Sequence, residues 1–237
     1  MILSLVRFLA ILFYVFTIPA TILLFLPFDR KRTYYKASSS FFGRQLVKIA
    51  GIQLTVKGKE NVDFSMPHIY ISNHASMFDI PCVLAGLPEY VGFVYKKELH
   101  WIPFFGLSMK FGKIHIPIHR SKGMSAMESL DVAAKQVQRG GSVLLFAEGT
   151  RTNDGKLQPF KRGPFYLAVR SGVSVIPLTI NGTYKILPKK SLRIQSGNVS
   201  LILGKPIAVS SEQNKEAEKK LMDEVHKAIE ENYVEQN

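Results

Sequence analysis

The sequence predicts an α/β fold with a mainly parallel sheet flanked by helices, preceded by an N-terminal membrane-associating helical segment. From about residue 52 onward, short runs rich in β-branched and aromatic residues alternate with helical patterns. Before them stands a long apolar stretch without a charged residue. We therefore expect membrane-anchoring helices over 1–50 and an α/β domain over 51–237.

The apolar stretch covers residues 8–28, and as a straight helix it would be about 30 Å long, enough to cross a bilayer. A cleaved signal peptide is disfavoured, because the apolar core is too long and no small-x-small cleavage site follows it. Two interpretations stay open. The helix crosses the membrane, or it is embedded without crossing, bent at Pro19 and stopped by Pro27.

A second segment, residues 33–50, repeats apolar residues at helical spacing with Lys36, Arg44 and Lys48 between them. This pattern is typical of a basic amphipathic helix in a membrane interface, although a helix packed on a soluble core gives it too. The basic run at 30–32 favours a cytoplasmic C-terminal portion if residues 8–28 span. We therefore expect the bulk of the chain at the cell inner membrane or at its cytoplasmic surface.

The α/β part is defined by six candidate strands and two clear helices. The helices are expected over 124–139, closed by two glycines, and over 210–234, which opens with a Ser-x-x-Gln box. The strands are expected at 68–72, 90–96, 113–119, 142–147, 174–180 and 199–204.

Composition narrows the classes of function. A net charge of +13 indicates an anionic partner such as nucleic acid, an anionic lipid surface or a phosphorylated substrate. The single cysteine, Cys82, excludes an internal disulfide and, in its apolar setting, is expected to be a core thiol. His115 and His119 share one face of a predicted strand, but without a nearby third ligand we expect no metal site.

The stretch SNHASMFDIP, residues 72–81, places His74 just after a predicted strand and Asp79 five residues later. If His74 lies in the turn and Asp79 on the following helix, the carboxylate can orient the imidazole, which then acts as a base. A capping interaction, with Ser76 as N-cap and Asp79 in the first turn, explains the same residues without catalysis. The spacing alone leaves both interpretations open.

Cations follow three of the predicted strands: Lys96 and Lys97, Arg120, and Arg151. Ligands of open α/β sheets bind beyond the carboxyl ends of the strands, where His74 is also expected. A base beside lysine and arginine side chains would suit a substrate that carries both a hydroxyl group and a phosphate.

Four blocks in order carry a resemblance to a known family. NHASMFD (73–79) and FAEGTR (146–151) resemble the two strongest motifs of the glycerolipid acyltransferases, more specifically the 1-acylglycerol-3-phosphate acyltransferases. FGKIHIPIHR (111–120) and VIPL (175–178) match the weaker blocks, so that the resemblance covers roughly residues 60–185. Ala147 departs from the pattern, since the family usually has proline there.

The resemblance implies transfer of a fatty acyl group from acyl-CoA or acyl-carrier protein to the 2-hydroxyl of lysophosphatidic acid. The product would be phosphatidic acid, made without a metal, a redox cofactor or an acyl-enzyme. His74 would be the general base oriented by Asp79, and the acceptor phosphate would lie on Arg120 and Arg151. Glu148, Gly149 and Thr150 would shape the acceptor loop, with Glu148 ordering an arginine. Lys96 and Lys97 are added only because of their strand-end positions.

Other functions remain possible at this level. A relative acting on glycerol 3-phosphate or another lysophospholipid would carry the same motifs. From other classes, a lysolipid hydrolase or a non-catalytic membrane- or nucleic-acid-binding module would also fit the charge. We expect the bilayer, lysophosphatidic acid and the acyl donor as partners and no nucleic acid, because no recognition-helix or aromatic-basic RNA motif is present.

Overall fold

A computed structural model describes residues 2–118 and 123–235 of the chain. In these residues a seven-stranded sheet lies between two layers of helices. The strands are β1 (Ile52–Lys57), β2 (Ile69–Ser72), β3 (Gly92–Lys96), β4 (Ile116–Ile118), β5 (Val143–Phe146), β6 (Val175–Asn181) and β7 (Gly197–Leu203). The helices are α1 (Ile2–Phe25), α2 (Thr33–Ala50), α3 (Asp79–Gly86), α4 (Phe105–Gly112), α5 (Gly123–Gln138), α6 (Arg162–Ser171), α7 (Thr183–Ile186) and α8 (Lys215–Glu230).

The strand order is β1-β7-β6-β2-β5-β3-β4, and the only antiparallel neighbours among these strands are β6 and β7. The prediction of a mainly parallel sheet is confirmed. Five strands run in one direction, whereas β1 and β7 run in the other. The carboxyl ends of β2, β5 and β3 therefore meet at one edge of the sheet, the edge at which His74 and Arg151 follow their strands.

The core is divided by the sheet because successive side chains of a strand point to opposite faces. In β2, Ile69 and Ile71 face the layer of α5, α6 and α8, and Tyr70 faces the layer of α2 and α3. All of these side chains are fully buried. This double burial explains why β2, β5 and β6 read as nearly continuous apolar runs.

The N-terminal apolar stretch forms α1, which is long and apolar enough to cross a membrane and keeps Pro19 inside the helix. The following helix, α2, packs on α3 and buries Tyr35, Leu46 and Val47. The structure therefore shows α2 as a helix packed on the α/β layer, the second of the two interpretations of its sequence. Contact of its exposed side with a membrane interface stays a prediction.

Several elements differ from the sequence-based expectation. The strand β1 was not expected, although IQLTVK alternates as a half-buried strand should. The last helix begins at Lys215, five residues later than expected, because Asn214 is its N-cap: the Asn214 side chain accepts the Ala217 N–H at 2.8 Å. Ser210 accepts the Glu212 N–H at 3.1 Å in a preceding turn instead.

Candidate active site

His74 and Asp79 are in direct contact at the carboxyl edge of the sheet. The Nδ1 atom of His74 lies 2.7 Å from Oδ2 of Asp79. Asp79 is fully buried, whereas the His74 side chain keeps 17% of its surface exposed. An ionised carboxylate only accepts hydrogen bonds, so Nδ1 carries the hydrogen and Nε2 is left free to take a proton.

Asp79 also organises the turn that leads to His74. The same Oδ2 atom accepts the backbone N–H groups of Ala75 at 2.8 Å and Ser76 at 2.9 Å, and α3 begins at Asp79 itself. The capping and the imidazole-orienting interpretations are thus not alternatives, because one oxygen atom does both. Ser76 keeps a part of the capping role, since its Oγ accepts the Phe78 N–H at 3.3 Å, while Asp79 accepts the two N–H groups that precede it.

The segment after β5 fixes the backbone of His74 from both sides. The His74 N–H donates to Oε1 of Glu148 at 2.7 Å, and the Thr152 N–H donates to the His74 carbonyl at 2.9 Å. The ring of Phe146 stacks on the imidazole, with centroids 3.8 Å apart and planes at 12°. The two strongest sequence motifs therefore form one unit, in which the second motif holds the first in place.

Glu148 has a different partner from the one expected. We expected it to order an arginine, but its carboxylate accepts a backbone hydrogen bond from His74, and its other oxygen, Oε2, is buried without a hydrogen-bond partner. Burial raises the pKa of Glu148 to about 8, while the hydrogen bond from His74 acts in the opposite direction. The peptide N–H of His74 therefore makes the contact with the Glu148 carboxylate that we expected from an arginine.

The remaining residues of this loop lie around the same edge. Gly149 has a φ of +72°, a left-handed conformation that glycine adopts without steric cost. Arg151 lines the cavity that His74 also lines. Lys189 donates to the Arg151 carbonyl at 3.1 Å and lies 3.4 Å from Oγ1 of Thr150, which adds a cation that the sequence analysis did not select.

The strand-end lysines do not join this group. Lys96 is half exposed and pairs with Glu98 at 3.6 Å, and neither Lys96 nor Lys97 lines the cavity that His74 lines. A 3-10 helix over Lys97–Trp101 follows β3 directly and begins at Lys97. Arg120, the other expected phosphate ligand, lies outside the described residues, as does His119.

An apolar cavity of about 450 Å³ begins at His74 and Arg151, and its size is that of a ligand pocket. Its walls come from α2, α3, α4 and the end of β3, and from the inner face of α1. Thus the N-terminal helix is part of the site. The α1 residues that line the cavity are Phe8, Ile11, Val15, Ile18, Pro19 and Ile22.

Two other candidate residues are buried, and one of them, His115, also lines the cavity. Cys82 is fully buried, as predicted, and burial raises the pKa of its thiol. His115 is also buried: its Nδ1 accepts the Phe93 N–H at 3.2 Å, and its Nε2 lies 3.0 Å from the Tyr90 hydroxyl. Burial lowers the pKa of His115 to about 3, so that the ring is neutral and connects Phe93 to Tyr90 by hydrogen bonds.

One positioning residue was missed by the sequence analysis. The Asn73 side chain donates to the Ile180 carbonyl at 2.9 Å and accepts the Ile180 N–H at 2.8 Å. This paired contact fastens the start of the His74 turn to β6, 107 residues away along the chain. Its sequence signal was its place as the first residue of the NHASMFD motif, immediately before His74.

Comparisons with known proteins agree on one family. A family model described as Acyltransferase matches residues 53–181. The chain is 35% identical to the 1-acyl-sn-glycerol-3-phosphate acyltransferase LPAT1, chloroplastic, of Arabidopsis thaliana, over 78% of this chain and 51% of that protein. It is 39% identical to the 1-acyl-sn-glycerol-3-phosphate acyltransferase BAT2, chloroplastic, of Brassica napus, over 64% of this chain and 44% of that protein. It thus spans about half the length of these curated relatives.

A solved structure gives the wider match. The crystal structure of the 1-acyl-sn-glycerophosphate (LPA) acyltransferase, PlsC, from Thermotoga maritima superposes with a TM-score of 0.80 at 28% identity. The match covers 98% of this chain and 95% of that one. The family model covers the strands β2, β3 and β5 with their site residues, and the structural match extends the likeness to the terminal helices. The chain therefore belongs to the acyltransferase family.

Proposed function

We propose that this protein transfers a fatty acyl group from acyl-CoA or acyl-carrier protein to the 2-hydroxyl of lysophosphatidic acid, forming phosphatidic acid for phospholipid synthesis. The observation that carries the proposal is the His74–Asp79 pair at the mouth of an apolar cavity that Arg151 also lines. Family membership and the printed names of the relatives support the substrate class.

The reaction follows from the free Nε2 atom of His74. This nitrogen removes the proton of the 2-hydroxyl, and the alkoxide oxygen attacks the thioester carbonyl. The C–O bond forms, the C–S bond breaks, and the leaving thiolate takes the proton back from the imidazolium. Asp79 stabilises the imidazolium meanwhile, since its buried carboxylate accepts the Nδ1 hydrogen throughout.

The acceptor phosphate is assigned to Arg151, because this guanidinium shares the cavity wall with His74. A guanidinium can bind two phosphate oxygens at once, which fixes the orientation as well as the charge. Lys189 adds positive charge next to it through its contact with the Arg151 carbonyl. The loop geometry would thereby hold the 2-hydroxyl close to the imidazole.

Replacing Arg151 with alanine is expected to raise the KM for lysophosphatidic acid about tenfold or more, because a charge-assisted phosphate contact is lost. Steady-state kinetics with varied acceptor measure this effect. Arg139, an exposed arginine just after α5, provides the matched control, and Arg139→Ala should keep the wild-type KM. An Arg151→Ala variant with an unchanged KM would exclude Arg151 from the phosphate site.

The cavity is assigned to the acyl chain of the donor or acceptor, since its walls are almost entirely apolar and meet at the imidazole. Burying chain carbons there would orient the reacting groups at the cost of little polar desolvation. Ser39 of α2 faces this space and is nearly buried, so its size sets part of the cavity volume.

Enlarging Ser39 to phenylalanine is expected to lower transfer of a palmitoyl group about tenfold or more relative to a decanoyl group, because the new ring occupies chain space. Competition between the two donors in one reaction gives the ratio directly. Ser38→Phe changes the neighbouring residue on the same helix, which does not line the cavity, and should leave the ratio unchanged. Equal ratios for both variants would exclude the donor chain from this part of the cavity and leave it to the acceptor chain.

The reaction itself is tested with detergent-purified protein, lysophosphatidic acid and palmitoyl-CoA or palmitoyl-carrier protein, with products identified by mass spectrometry. Phosphatidic acid formed only with one donor would identify that donor. Transfer to glycerol 3-phosphate or to another lysophospholipid alone would replace the acceptor class. Release of free fatty acid without phosphatidic acid would show that His74 activates water, and the transferase proposal would be wrong.

The proposed location rests on α1. Its apolar length and the basic residues Arg30, Lys31 and Arg32 after it support attachment to the cytoplasmic surface of the cell inner membrane. The acceptor is a lipid that resides in the same membrane, so the site would meet it there. Protease protection of α8 in sealed inverted vesicles would contradict this orientation.

A further inference from the structure

We propose that Trp101, Phe104, Leu107 and Phe111, named here the α4 surface, form a second membrane contact that inserts into an anionic bilayer beside α1. The exposed fractions of these side chains are 87%, 46%, 39% and 48%. This inference goes beyond the proposed reaction, because it concerns how the α/β layer itself meets the lipid.

The helix α4 exposes an apolar stripe on the side that faces away from the protein, in addition to Phe105 and Met109, which pack inward. Phe104, Leu107 and Phe111 follow one another at intervals of three and four and make one exposed stripe. The buried side holds Gly106, Ser108, Met109 and Gly112. A surface helix in water turns its largest apolar residues inward, so this arrangement indicates an apolar medium on the outer side.

Close packing at two glycines fixes which side of α4 faces the protein. A Cβ atom on Gly106 would lie 2.3 Å from the Leu99 carbonyl oxygen, and one on Gly112 would lie 2.3 Å from the ring of Tyr35. Only glycine fits at both positions, so α4 lies flat against the protein along its glycine side. Rotating the stripe inward would require both of these contacts to open.

The backbone at Phe104 supports a role for the exposed ring. Phe104 has a φ of +57° and a ψ of −55°, and the Phe105 N–H donates to the Pro103 carbonyl at 2.6 Å, which makes a tight turn with Phe104 at its centre. This conformation is strained for a residue with a side chain. Such strain persists where the position of a side chain matters.

The α4 surface is continuous with the exposed side of α1. The ring of Phe104 meets that of Phe16 edge to face, with centroids 6.5 Å apart. At the other end of α4, Nε of Arg32, in the α1–α2 connection, donates to the Gly112 carbonyl at 3.2 Å. A bilayer that takes up α1 therefore reaches α4 as well.

The charges around this surface fit anionic headgroups. Lys110 and Lys113 are exposed on α4 and directly after it, and Arg30 and Lys31 are exposed at the end of the α1 segment. Such cations are attracted to an anionic membrane surface. Apolar rings flanked by cations are the pattern of an interfacial anchor, and tryptophan is enriched at that depth.

The chain contains a single tryptophan, so Trp101 reports on this surface without labelling. The full chain is reconstituted in vesicles of phosphatidylglycerol and phosphatidylethanolamine, with or without bromine on the acyl chains. We expect brominated acyl chains to quench the Trp101 fluorescence. We expect acrylamide in the aqueous phase to quench it less than it quenches Trp101 in the denatured protein. The matched control is the double variant Trp101→Phe, Val132→Trp, which places the reporter on exposed α5 and should respond to acrylamide alone.

Quenching of Trp101 by acrylamide but not by brominated chains would overturn the proposal, because the surface would then face water. Protection from both quenchers would overturn it too, since a protein partner or a second copy would then cover the surface. Acyl transfer is measured on the same vesicles. Lipid quenching without transfer would leave the membrane contact in place and remove only the proposed function.

Discussion

Replacing His74 with alanine is expected to abolish acyl transfer, with kcat reduced about 10²–10⁴-fold, because the 2-hydroxyl loses its proton acceptor. Initial rates with lysophosphatidic acid and an acyl donor measure the loss. The fold should survive, since the imidazole contacts only the Asp79 carboxylate and the Phe146 ring among its named partners. Circular dichroism of the variant checks this.

His226 of α8 provides the matched control. It pairs with Glu230 at 3.6 Å on the far side of the sheet from the cavity, and His226→Ala should keep the wild-type rate. A His74→Ala variant that retains activity within about tenfold of wild type would sink the assignment of the base. General base chemistry would then have to come from another group.

Changing Asp79 to asparagine is expected to reduce kcat about 10²–10⁴-fold while the KM values stay close to wild type. The amide oxygen can still accept the Ala75 and Ser76 N–H groups, so the turn is kept. The amide cannot stabilise an imidazolium by charge, and its NH₂ group would favour the wrong imidazole tautomer. Steady-state kinetics separate the two parameters.

The control is Asp63→Asn, since Asp63 is an exposed carboxylate that accepts hydrogen bonds from Ser65 near the opposite edge of the sheet. It should leave kcat and KM unchanged. If Asp79→Asn raises the KM and leaves kcat intact, then Asp79 supports only the loop. If the activity of Asp79→Asn falls only in proportion to its unfolded fraction in thermal melts, the same conclusion holds, namely that Asp79 supports only the loop.

The sequence predicts the central part of the site because its determinants are local. His74, Asp79 and the Glu148–Arg151 loop lie just after buried strands, and parallel strands bring their carboxyl ends together. The path that the chain takes after a strand, in contrast, is not determined by nearby residues. Lys96 and Lys97 were placed with the others by position, but Lys96 pairs with Glu98 at the surface, and the 3-10 helix that begins at Lys97 brings Leu99, rather than a lysine, to the cavity.

The partner of a buried polar group is equally hard to predict from sequence. Glu148 accepts a hydrogen bond from the peptide group of His74, 74 residues away, and Asn73 donates one to the Ile180 carbonyl in β6. Such pairs depend on which strands become neighbours, which no spacing within one motif reveals. The helix α2 shows a further limit, because an amphipathic pattern states that one side is apolar but not whether protein or lipid covers it.

A helix that only holds a protein on a membrane could be exchanged for any other of equal hydropathy. The inner side of α1 cannot be exchanged in this way, because Ile11, Val15, Ile18 and Ile22 are part of the wall that surrounds the cavity. Exchanging α1 for another helix of equal hydropathy would therefore alter the dimensions of the cavity. Substitutions on the side of α1 that lines the cavity must therefore preserve side-chain shape. Substitutions on its exposed side need only preserve hydropathy.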